Sequence, residues 1–181
     1  FFEDVRRELI ARFGETAEDG PNSVYAGGLW VRTSMVPRMQ DAAAEALREG
    51  LAKFDGGRGW RDTGLSVDVS GDWQTQLRVA ALGTGFPDWR KSVVLSKSGN
   101  SATIGFSDGS TGSLPESAAR QAVRGRGGSA FGALRPGMTI VVMQLGLNSY
   151  ALRSIPEVGG GFVAEEVRTG RVLAMQGGFD V

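Results

Sequence analysis

Cysteine and histidine are both missing from the 181 residues. Without sulfur there is no disulfide, no thiolate nucleophile and no zinc site built on cysteine. This leaves the compartment open, because a disulfide is only one response to an oxidising environment. Without imidazole the chain lacks the usual general base near neutral pH and the commonest metal ligand. Metal-dependent or His-dependent catalysis is therefore not expected. An excess of charge is missing too, since 20 basic and 20 acidic residues cancel to a formal charge of zero. Nucleic-acid binding leans on phosphate neutralisation by Lys and Arg, so that role would need a local patch. No run of about 18 apolar residues offers a membrane span, and the first residues lack the charged-then-apolar layout of a signal peptide. The chain starts at Phe1 inside a helical pattern and reads as a segment excised from a longer protein. Any targeting segment is then expected upstream.

What is present divides into a helical front and a glycine-rich remainder. Strong helix formers dominate Phe1 to Arg12 and Gln40 to Phe54, whereas most of the 28 glycines fall beyond Asp55. Phe2, Val5, Leu9 and Phe13 recur at helical spacing, and Gly14 stops that helix. Glu15 to Asn22 reads as a loop, and Gly27 to Thr33 as a short strand reached through glycines. Pro37 opens a second helix, a favoured first position because proline has no N–H to leave unpaired. Met39, Ala43, Ala46, Leu47, Leu51 and Phe54 form its apolar face, while Gln40, Asp41, Glu45 and Arg48 lie on the polar one. Gly56-Gly57 ends it.

From Trp60 the period changes to two. Strands are expected at Leu65 to Val69, Gln74 to Leu82, Ser92 to Ser96, Ala102 to Phe106, Thr111 to Leu114, Thr139 to Gln144 and Tyr150 to Ile155. Ser98-Gly99-Asn100 and Asp108-Gly109 supply turn chemistry between them. Glu116 to Val123 reads as one short helix. Short strands with one interposed helix suit a small closed barrel of the oligonucleotide/oligosaccharide-binding (OB) type. Near the end, Phe162 to Val167 and Arg171 to Met175 flank Arg168-Thr169-Gly170, the layout of a β-hairpin. A lone hairpin is marginal in water, so this one implies a larger sheet.

No serine is followed three residues later by lysine, the arrangement in which a helical turn brings the amine to a nucleophile. Lys97-Ser98-Gly99-Asn100 contains Lys-Ser-Gly and Ser-x-Asn, but both fall in one tetrapeptide and cannot form separate walls of a site. A hairpin turn is the better reading. Arg124-Gly125-Arg126-Gly127-Gly128 is basic and glycine-rich, yet no strand feeds it and no Lys-Ser/Thr follows, so a solvated loop is expected rather than a phosphate cradle. Trp73, Phe86 and Trp89 have the ring faces to stack bases or sugars, though barrel cores use the same residues. Glu165 and Glu166 are strand neighbours pointing to opposite faces, so they do not form a carboxylate pair.

The two ends of the chain resemble the class A penicillin-binding proteins, most closely the 1A type. Phe2-Glu3-Asp4-Val5-Arg6-Arg7-Glu8-Leu9 looks like the family's linker helix. Gly27-Gly28-Leu29-Trp30-Val31-Arg32-Thr33-Ser34, followed by Pro37-Arg38-Met39-Gln40-Asp41-Ala42-Ala43, is similar to its Gly-Gly-Leu strand, turn and Gln-containing helix. Ile155-Pro156-Glu157-Val158, Phe162-Val163-Ala164 and Thr169-Gly170-Arg171-Val172-Leu173-Ala174-Met175-Gln176-Gly177-Gly178 resemble the opening hairpin of its transpeptidase domain. Leu134-Arg135-Pro136-Gly137-Met138 looks like the approach to a late strand of its OB-like insertion. Val36 stands where the family usually has Asp, and Glu165-Glu166-Val167 replaces its Met-Asp-Pro.

The resemblance implies a mainly β fold with a helical flank. Residues 1–59 would be linker and transpeptidase-associated helices and strand, 60–149 an OB-like barrel, and 150–181 the start of a transpeptidase domain. It implies a parent that is a periplasmic, bifunctional peptidoglycan synthase with its membrane anchor upstream. Both catalytic centres would lie outside this sequence, with the glycosyltransferase Glu before Phe1 and the transpeptidase Ser-x-x-Lys after Val181. No catalytic, cofactor-binding or metal-binding residue is therefore carried over. The partner expected is a periplasmic regulatory protein or lipoprotein, with peptidoglycan also possible and nucleic acid not. The alternative is a free-standing OB-type module that binds single-stranded nucleic acid through Trp73, Trp89 and the Arg124 to Arg126 loop.

Overall fold

The computed structural model describes residues 1–178. The end of the tail read above, Phe179, Asp180 and Val181, lies outside the described residues. Two compact units are present, one built from Phe1–Leu47 with Gly160–Gly177 and the other from Arg48–Gly159.

In the first unit, α1 (Phe2–Phe13) ends as expected at Gly14, whose φ of 81° suits a residue without Cβ and whose N–H bonds the Ile10 carbonyl at 2.9 Å. Val5 and Leu9 are half-buried while Phe2 and Phe13 stay exposed, so the apolar stripe is only partly covered. Helix α2 (Pro37–Gly56) starts at its proline, and the Val36 carbonyl receives the N–H groups of Met39 and Gln40. The two strands of the C-terminal hairpin, which pair antiparallel with Val163 opposite Met175, are Gly161–Glu165 and Val172–Gly177. Gly170, at φ 68°, takes the left-handed position in the loop between them.

Gly27 to Thr33 forms no strand, which corrects the sequence reading. The residues after it bond the hairpin. The Ser34 hydroxyl donates to the Val172 carbonyl at 2.6 Å, and the Val36 N–H donates to Leu173 at 2.9 Å. Gln40 is also reassigned, from the polar face to a half-buried position. Its Nε2 donates to the Met175 carbonyl and its Oε1 accepts from the Met175 N–H, both at 3.0 Å. The side-chain amide thus satisfies one residue's donor and acceptor together, as a neighbouring strand would. Replacing it by leucine should leave both Met175 groups unpaired and destabilise the hairpin by about 1–3 kcal/mol. Amide hydrogen exchange at Met175 is the measurement, and unchanged protection in Gln40→Leu would refute that role.

The second unit is a closed barrel. Its strands are β1 (Trp89–Ser98), β2 (Ser101–Gly105), β3 (Thr111–Pro115), β4 (Thr139–Gly146) and β5 (Ser149–Arg153), in the order β1-β2-β3-β5-β4; the C-terminal hairpin strands are then β6 and β7. Ser98 pairs with Ser101 across Gly99-Asn100, and Gly99 has the φ of 52° that a two-residue hairpin turn needs at its first central position. The β3–β5 seam is thin, a single parallel bridge between Ser113 and Ser149. Strand β5 pairs with β4 along its length, so the barrel runs through Arg153 and past the division drawn at 149.

Period-two alternation fills the lumen. Val94, Ile104, Phe106, Leu114, Ile140, Val142, Tyr150 and Leu152 form one buried cluster, closed by Trp60, Phe131 and Leu134. Gly112 faces the Tyr150 ring so closely that a Cβ would lie 2.4 Å from Cε2. A second cluster joins Trp89 and Val141 to Phe86, Met143 and Ile155, together with Leu51 and Ala52 from the last turns of α2.

Three other expectations are corrected. Gln74 to Leu82 is not a strand but contains most of α3 (Trp73–Val79), started by Asp72, whose carboxylate accepts from the Thr75 N–H at 3.2 Å. Leu77 is fully buried and Val79 is 75% exposed, which suits a helix with one packed face. Leu65 to Val69 contributes only the bridge between Ser66 and Met138. Glu116 to Val123 is a single 3-10 turn at Glu116–Ala118, while the short helix of this region is α4 (Ala130–Ala133), whose Ser129 cap accepts from the Gly132 N–H.

Candidate functional site

The residues singled out as ring platforms do not converge on a face. Trp89 is 9% exposed and meets Phe86 at 4.8 Å between ring centroids, inside the second cluster. Trp73 is half-buried over Gly105, where an added Cβ would touch its ring at 2.5 Å. Lys97 is also committed: its ammonium donates to the Phe131 carbonyl at 2.6 Å and sits over the Phe131 ring. Among the described residues no group of three or more His, Cys, Asp and Glu side chains is placed to hold a metal.

The basic loop divides. Arg126 is exposed, whereas Arg124 is an internal tie and not part of a solvated loop. Its guanidinium meets the Asp55 carboxylate at 2.7 Å and Glu157 at 3.0 Å, and donates to the Asp55 carbonyl at 3.0 Å. The hydrogen bond that Arg124 donates to the Asp55 carboxylate, with both carboxylates' charges, holds Arg124 above its ordinary pKa. Arg61 meets Glu157 at 2.9 Å and completes the chain of charges. Asp55 is 1% exposed, so the pair fixes the end of α2 against the loop after the barrel's 3-10 turn.

One surface on the barrel unit is built differently. A groove of about 540 Å³ runs beside β5, lined by Ser149, Ala151 and Arg153 on that strand, by Ser117 and Ala118 of the 3-10 turn with Arg120 and Gln121 after it, and by Leu145 before the β4–β5 turn. Arg120 is exposed, and among the described residues neither it nor Arg153 makes an ion pair. Burial pulls the Arg153 pKa down, with Asp88 acting in the opposite direction. Gln121 Nε2 donates to the Leu152 carbonyl at 3.1 Å while its Oε1 is buried without a partner. Leu145 is 56% exposed and Leu147, at the tip, is fully exposed. Sequence reading missed this groove. Its one visible signal was two leucines in the turn Gln144-Leu145-Gly146-Leu147-Asn148, where polar residues are the norm.

Comparison with known proteins agrees with this architecture. The chain belongs to the family of penicillin-binding protein OB-like domains, whose model matches residues 60–158. It is similar along almost its whole length to penicillin-binding protein 1A of Rickettsia prowazekii (strain Madrid E), 35% identical over 180 residues that cover 99% of this chain and 22% of that protein. Penicillin-binding protein 1A of Escherichia coli (strain K12) is 29% identical over 191 residues, 98% of this chain and 21% of that protein. The crystal structure of penicillin-binding protein 1A from Haemophilus influenzae shares the fold with a TM-score of 0.76 at 23% identity, covering 99% of this chain and 25% of that one. The chain thus spans about a fifth to a quarter of the length of these relatives.

Proposed function

We propose that the chain serves as the non-catalytic OB-like and linker region of a class A penicillin-binding protein of the 1A type. The parent is a bifunctional peptidoglycan synthase anchored in the inner membrane, with this region in the periplasm. There it spaces the glycosyltransferase and transpeptidase domains and offers a docking surface to a periplasmic regulatory protein or lipoprotein. One observation carries the reading. The first unit is closed by residues on either side of the barrel, since Ser34, Val36 and Gln40 bond strand β7 across 135 or more positions. The barrel is therefore an insertion between two pieces of another folding unit, as expected of a spacer and not of a free-standing binding module. A lumen packed with side chains also supports a structural role.

The test uses the purified chain. Incubated with a fluorescent β-lactam it should remain unlabelled, and it should not polymerise lipid-linked disaccharide. Covalent labelling at any serine would overturn the assignment. Steeply salt-dependent binding of a single-stranded oligonucleotide would instead favour the nucleic-acid reading.

A further inference from the structure

Resting on that docking role, we infer that the groove beside β5 is the docking site, and that it takes an extended segment of a partner polypeptide carrying an apolar residue and a carboxylate four positions apart. The two ends of the groove have different chemistry. At the Ser149 end, β4 runs antiparallel with Gly146 opposite Ser149, which brings Leu145 alongside and leaves Leu147 at the tip. At the Arg153 end are the two guanidiniums, because Gln121, next to Arg120, is bonded to the carbonyl of Leu152. Ser149 and Arg153 are the ends of one strand, so the apolar and cationic ends lie about 13 Å apart at the usual rise per residue. An extended peptide laid along that edge puts residues i and i+4 on the same side at the same separation.

Two unmet requirements select the occupant. Arg120 has no ion-pair partner among the described residues, nor has Arg153, whose guanidinium donates to the Leu152 carbonyl at 3.0 Å and to Met143 Sδ at 3.4 Å, and no carboxylate lines the groove. A planar guanidinium is best matched by a carboxylate. Leu145 and Leu147 present apolar area that only a side chain of similar character would cover. Beyond the single Ser113–Ser149 bridge the wall facing β5 is formed by the 3-10 turn with Arg120 and Gln121, and the groove between them is where such a segment would lie.

The experiment measures fluorescence anisotropy of the purified chain with labelled pentapeptides. Each has Leu, Ile, Val or Phe at the first position, Asp or Glu at the fifth and Ser between, and each is compared with its Asn or Gln counterpart. The acidic peptides should bind saturably and lose affinity as salt rises. Arg120→Glu, a change at an exposed residue, should weaken them roughly tenfold or more. The same variant should gain affinity for the matching peptide with Lys at the fifth position, a gain that unfolding would not produce. Leu145→Ser, a change at the leucine that lines the groove, should weaken all of the acidic peptides. Equal binding of the amide peptides, indifference to Arg120→Glu, or no binding by any peptide would refute the inference and leave the β-lactam result, and with it the spacer reading, untouched. Tighter binding of a disaccharide with its stem peptide, abolished by the same variant, would move the site from a partner protein to peptidoglycan.

Discussion

Phe106→Ala should cost the barrel about 3–5 kcal/mol, the range for emptying a large aromatic site in a packed interior. Phe106 is 1% exposed and directly follows β2, and its ring meets Tyr150 at 4.9 Å between centroids. The Arg90 guanidinium covers it at 3.9 Å and is itself held to Asp108 at 2.8 Å. Truncation therefore removes core volume, an aromatic pair and the surface on which an ion-paired arginine rests. Urea unfolding followed by tryptophan fluorescence reports the effect, because Trp60, Trp73 and Trp89 all belong to the barrel unit. A midpoint within experimental error of the parent chain would show that this cluster does not stabilise the barrel. Phe106→Leu, which retains most of the apolar area, should lose less.

Arg124→Met is expected to destabilise the same unit by about 3 kcal/mol, toward the lower end for breaking a buried ion pair. The reason is what remains. Asp55 is 1% exposed and its Oδ1 has no hydrogen-bond partner, so loss of the guanidinium strands a buried carboxylate. Arg124 keeps about a fifth of its side-chain area in solvent, which moderates the loss. The double change Asp55→Leu with Arg124→Met should recover much of the stability, since a buried pair replaced by apolar groups is often neutral. If the double variant is as unstable as the sum of the two single variants, the residues do not act as a pair.

The parts of the fold legible in the sequence were those set by local chemistry. Ser98-Gly99-Asn100 and Asp108-Gly109 are turns whatever surrounds them, and they fix β1, β2 and β3 as a meander. Gly14 and Pro37 mark helix ends by backbone constraint alone. Helix α3 was hidden because Gln74, Gln76 and Arg78 alternate with Thr75, Leu77 and Val79, which mimics a strand. The informative spacing was Trp73 to Leu77, one helical turn, preceded by an Asp cap. The candidate site was far less legible. Arg120 and Arg153 come from segments joined by the bond from Gln121 to the Leu152 carbonyl, 31 positions apart, and no local pattern announces it. Arg124 and Asp55 are 69 positions apart, and no local pattern relates them.

The bond from Gln40 to Met175 also bears on the order of folding. Closing a disordered loop costs entropy that grows as about (3/2)RT ln n, and these partners are 135 positions apart. The barrel's strands pair mostly with neighbours in sequence, through the β1-β2-β3 meander and the β4–β5 hairpin. It can condense before the ends meet, and once condensed it replaces most of that disordered loop by a compact insert. Capture of the hairpin by Ser34, Val36 and Gln40 is then the late step. A barrel that folds slowly would delay assembly of the unit that flanks it.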